Sequence, residues 1–99
     1  MASFPLRAVY IKKERAQGEA PVQILVSVPK KRFKHAVDRN RVKRQVREAF
    51  RQHKELLYEA LAEHEQLLLA FIWLSDEHRP SRDVESRVVS LMQRVAEKL

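Results

Sequence analysis

Apolar residues recur along the chain with two different periods. Residues 4–13, FPLRAVYIKK, alternate: Leu6, Ala8 and Tyr10 share one side while Arg7, Val9 and Ile11 share the other, the two-residue repeat of a strand. KERAQGEAP interrupts the alternation, with Gly18 and Pro21 as turn punctuation. VQILVSV (22–28) is β-branched and nearly continuous, which predicts an interior strand that pairs antiparallel with the first. Pro29 ends that strand, and KKRFKHAV (30–37) leads into a helix.

From Asp38 to His53 there is neither Gly nor Pro, and good helix formers dominate. Asp38 is positioned to cap the helix, its carboxylate accepting from free amides of the first turn. At roughly 100° per residue, Val42, Val46, Ala49, Phe50 and His53 form one apolar stripe, the width of a core-facing surface. Asn40, Lys43, Arg44, Arg47, Arg51 and Lys54 form a second arc on the far side. After His53, ELLYEALAEHEQ (55–66) keeps the helical period through Leu57, Ala60, Leu61 and His64. The helix either continues there or bends and restarts near Lys54. LLLAFIWL (67–74) is apolar throughout and of strand length. SDEHRP is a loop, and Ser81 is placed to cap a last helix over 82–98, with Val84, Val88, Leu91, Met92 and Val95 as its stripe. The order β-β-α(α)-β-α predicts an α+β fold, a two-layer sandwich of a small sheet and helices, as a single domain over 1–99.

Charge changes the picture. Between Lys30 and Lys54 stand eleven Lys or Arg against Asp38 and Glu48, a net +9, whereas the rest of the chain nets −2. A solvated helix face would alternate Glu and Lys at i, i+4. This one is almost purely cationic, so neighbouring charges repel unless a polyanion covers them and releases its counterions. The whole chain carries +7 with a pI of about 10.1, which points to nucleic acid as partner. Tyr10 and Phe33 each have two readings, core packing or stacking on an unpaired base.

Other chemistry is missing. The four histidines, His35, His53, His64 and His78, have no HExxH or paired-ligand spacing, so no metal site is expected. There is no Cys, which removes disulfides and Cys-based zinc sites and fits a cytoplasmic protein. One Gly allows no phosphate-cradling loop, and no nucleophile stands with an identifiable base. No apolar run reaches the 18 or so residues that would cross a bilayer, so no membrane partner is expected.

The run F-K-H-A-V-D-R-N-R-V-K-R-Q-V-R (33–47) resembles the signature of the bacterial ribonuclease P protein subunit. Ala36, Arg39, Asn40, Arg41, Val42, Lys43, Arg44 and Arg47 fit it position by position, and Ser27-Val28-Pro29-Lys30-Lys31 looks like the family's strand end and Lys pair. The resemblance implies a mixed sheet with a left-handed β-α-β crossover, as in a domain of ribosomal and translational GTPase proteins, against the usual handedness. It implies a partner RNA that carries the active site and its Mg²⁺ ions. It further implies a protein, expected to be a monomer when isolated, that binds that RNA and precursor tRNA so that the 5′ leader is removed. RNA contacts are then expected from Lys30, Lys31, Lys34, Arg39, Asn40, Arg41, Lys43, Arg44, Arg47 and Arg51, with no catalytic residue. Arg39, beside the apolar arc, has the alternative of bracing the loop. Leader contacts would fall to Tyr10, at the family's leader-contacting aromatic, and Phe33. Two departures stand out: the family usually opens with a further helix where this chain opens on a strand, and Phe33, Lys34 and His35 stand where Gly is common. Beside the family, 55–66 also looks longer than usual, and an elongated surface helix is expected there. The alternative function is that of a ribosomal or other RNA-scaffold protein with the same basic helix.

Overall fold

The alternation and the helical stripes meet in one core of 19 buried apolar residues. A computed structural model describes residues 1–99, with strands β1 (Ala2–Ser3), β2 (Leu6–Glu14), β3 (Val22–Ser27) and β4 (Glu65–Trp73). The helices are α1 (Ala36–His53), the single turn α2 (Glu55–Tyr58) and α3 (Ser81–Lys98). The four strands form one sheet in the order β1-β2-β4-β3. Helices cover one of its faces, giving the expected α+β sandwich of a mixed sheet and helices.

The first two long strands do not pair with each other, contrary to the pattern reading. β4 lies between them, antiparallel to β2 from Leu6↔Trp73 to Glu14↔Glu65 and parallel to β3 from Val22↔Leu67 to Ser27↔Ile72. The reason is composition. Leu67, Leu69, Phe71 and Trp73 of β4 are at most 2% exposed, and Leu68, Ala70 and Ile72 on its other side are apolar too. The chain's most apolar strand is the one that gains most from neighbours on both edges. The connection through Gly18 (φ +85°) is long enough to step over one strand, about 10 Å. β3 is therefore an edge strand, and its outward Gln23 and Leu25 are exposed.

α1 begins two residues before the expected start. His35 occupies the capping position without a side-chain bond, and Asp38 sits inside the first turn, where a carboxylate complements the free amides. Its Oδ1 stands 2.9 Å from Nε2 of His78, so it ties the helix to the β4–α3 loop instead of capping. Val42 and Val46 are fully buried and Ala49 nearly so, while Phe50 and His53 are half-buried at the border of the stripe.

The elongated helix over 55–66 does not form. α2 is one turn that buries Leu57, and the chain reverses before β4 starts at Glu65. The Glu65 carboxylate accepts from the Ala62 amide at 2.9 Å and pairs with Lys12 Nζ at 2.9 Å. The reversal thus rests on the carboxylate of Glu65. In α3 all five stripe residues, Val84, Val88, Leu91, Met92 and Val95, are fully buried. Pro80, not Ser81, holds the cap position, and Ser81 Oγ accepts from Gln45 Nε2 at 3.1 Å.

Candidate nucleic-acid interface

With Val42, Val46 and Ala49 turned into the core, helical geometry leaves the opposite side of α1 no choice but solvent. Asn40, Lys43, Arg44, Arg47 and Arg51 line one shallow concavity there, with Glu48 on its margin. Lys43, Arg44 and Arg47 form no ion pair within the molecule. Three uncompensated cations on a rigid rod make a site for closely spaced phosphates.

Arg51 differs. Its Nη2 and Nε donate to the two Glu48 carboxylate oxygens at 2.6 and 3.0 Å, a forked pair at i, i+3. Gln52 Nε2 adds a third bond to the same carboxylate at 3.1 Å. The hydrogen bonds from Arg51, then its charge and the Gln52 amide, hold the Glu48 carboxyl below the usual range although desolvation opposes them. Glu48, one of the two acids in the basic run, thus stands as an internal anion at the margin of the cationic face, paired at the i, i+3 spacing that brings helical side chains together.

The other expected contacts divide by geometry. Lys30, Lys31 and Lys34 are exposed on the β3–α1 loop. Arg41 is exposed but lies outside the concavity. Arg39 takes the loop-bracing alternative: its Nη1 donates to the carbonyls of Phe33 and Lys34 at 2.8 and 3.0 Å. Phe33 is only 9% exposed and stacks on the His78 ring, centroids 4.5 Å apart, so its ring is part of the core and is not free for a base. Tyr10 is half-buried, packed against the core on the helix-facing side of β2. His78, a residue that periodicity does not mark, thus holds Phe33 on one side and Asp38 on the other. No three His, Asp or Glu side chains converge to hold a metal ion.

Comparison with known proteins bears on this site. A family model described as Ribonuclease P matches residues 2–95. Over 94 residues the chain is 45% identical to the ribonuclease P protein component of Porphyromonas gingivalis, covering 94% of this chain and 68% of that one. It is 48% identical over 59 residues to the ribonuclease P protein component of Chlorobaculum tepidum, covering 54% of this chain and 38% of that protein. The solved RNase P protein from Thermotoga maritima superposes with a TM-score of 0.64 at 22% identity, over 88% of this chain and 76% of that one, a likeness of fold.

Proposed function

Because the chain belongs to the ribonuclease P protein family, we propose that the cationic side of α1 is the surface through which it docks on the catalytic RNA. The protein is the non-catalytic subunit of ribonuclease P and binds RNA and precursor tRNA. Its own side chains supply no active site or metal cage; the Mg²⁺ ions of the reaction belong to the RNA. The contribution of the protein is positional. Lys43, Arg44 and Arg47 neutralise phosphates where RNA backbones crowd, and Asn40 can donate and accept at once within that frame. Lys30, Lys31 and Lys34 extend the same surface along the loop before α1. The precursor's 5′ leader is assigned to Tyr10 alone of the two aromatics, since His78 covers Phe33. In this reading residues 1–99 act as one RNA-binding domain, a cytoplasmic monomer before assembly.

One observation carries the assignment: three unpaired cations share a concavity on a helix whose reverse side is sealed in the core. The test is cleavage of a precursor tRNA by a bacterial ribonuclease P RNA at low Mg²⁺, with and without the chain. Stimulation by the wild type, and its loss in a Lys43, Arg44 and Arg47 triple Ala variant, is expected. A triple variant that stimulates as well as the wild type refutes the docking surface.

A further inference from the structure

Phe4 is the one aromatic among the large apolar side chains that stand exposed, at 56%. It sits at the tip joining β1 to β2, and nothing in the docking surface above uses it. A single exposed apolar residue is ordinary; the surroundings of this one are not. Arg79, in the loop from β4 to α3, lays its guanidinium 5.3 Å from the ring centroid, within cation–π range. Arg79 is itself anchored. Its Nη1 donates to Asp83 Oδ2 at 3.2 Å, and its carbonyl accepts from Gln45 Nε2 of α1 at 3.0 Å. The tip is anchored as well, because the Leu74 amide donates to the Pro5 carbonyl at 2.8 Å. A flat apolar surface with a cation against it is thus held in place by three separate elements.

Topology puts it near the basic loop. β3 runs parallel to β4 and β2 antiparallel to it, so the end of β3, the end of β4 and the start of β2 share one pole. Lys30, Lys31 and Lys34 open on that same pole. The β4–α3 loop between them and Phe4 is tied down by the Arg32–Asp76 pair at 3.3 Å and the Phe33–His78 stack. Two strand spacings, roughly 10 Å, separate β2 from β3, a gap that a short run of nucleotides covers. A single strand whose phosphates lie on the lysines would bring a base to the ring.

We propose that Phe4, backed by Arg79, is a stacking seat for one unpaired base of the bound RNA. The proposal rests on the RNA-binding reading above and adds to it a site with no preference for base identity, because every base has a π-face. The probe is a short single-stranded RNA, compared with the same strand carrying abasic positions. Phe4→Ala should bind the intact strand about 5- to 150-fold more weakly than wild type, with an unchanged salt slope, and should bind the abasic strand equally well. Phe4→Leu keeps the apolar bulk without the ring and should behave like Phe4→Ala. Phe4→Trp should retain affinity and lose fluorescence on binding the intact strand. Equal affinity of Phe4→Ala and wild type for the intact strand overturns the seat, as does a loss that persists on the abasic strand. Wild type that binds ribonuclease P RNA but not the single strand also overturns it, while failure to bind either RNA overturns the docking reading itself.

Discussion

Replacing Glu48 by Gln keeps the length of the side chain and removes the anion at the edge of the docking face. The Glu48 carboxylate accepts from Arg51 twice, at 2.6 and 3.0 Å, and from Gln52 at 3.1 Å, so it holds the Arg51 fork in the free protein. Among the residues lining the concavity, Lys43, Arg44, Arg47 and Arg51 oppose this one acid, and the substitution raises their local net charge from +3 to +4. A freed guanidinium that neutralises one more phosphate steepens the dependence of log affinity on log salt by about 0.7 to 0.9. The affinity advantage of the variant should accordingly shrink about threefold between about 50 and 200 mM salt. Filter binding to a bacterial ribonuclease P RNA across that range reads both quantities. Arg51→Ala in the wild-type background should move the slope less than in the Glu48→Gln background, a coupling that a double-mutant cycle isolates. Acidification is no substitute for the mutation, because Arg51 holds the Glu48 carboxyl below the ordinary glutamate range. A Glu48→Gln slope equal to wild type, with Arg47→Ala lowering it, would refute the view that Glu48 withholds Arg51 from phosphate.

Arg44→Ala and Arg47→Ala should each weaken RNA binding and lower the salt slope by about one unit, measured in the same titrations; slopes that do not move would remove these residues from the phosphate contacts. Val46→Asp places an unpaired charge where the side chain is fully buried, at a cost comparable to the whole stability of a domain, about 5–15 kcal/mol. Loss of the far-UV helical signal and of the melting transition is expected, and a normally melting variant would mean that α1 is rotated from the orientation described. Glu65, lowered by the Ala62 amide first and by Lys12 second, contributes stability that is present above the ordinary glutamate pKa and fades as pH falls through its lower folded value. Glu65→Gln should remove that part of the acid limb of a pH–melting curve; an identical acid limb in the variant would show that the β4 entrance does not depend on the ionised carboxylate.

Local periodicity was sufficient wherever one face of an element decides its partners. Val42, Val46 and Ala49 in α1, and all five stripe residues in α3, are buried as their 3.6-residue spacing requires, and the side of α1 that carries Lys43, Arg44 and Arg47 follows from the same geometry. The helix and its polarity could therefore be read before any coordinates, while the family was legible only through the likeness of residues 33–47 to its signature. Strand order could not, because alternation says which side of a strand is apolar and nothing about which edge meets which neighbour. That choice went to β4, whose two apolar sides and central place bind β2 and β3 from a distance in sequence. The short α2 and the turn at Ala62–Glu65 escaped for a related reason: an acid at helical spacing reads the same whether it faces water or accepts the amide that reverses the chain. Only the folded chain could settle which charges are free, since Arg39 is taken up by loop carbonyls and Arg51 by Glu48. The covalent order of residues encodes how many cations there are and which way they lean; contacts closed across the fold determine how many of them remain for RNA.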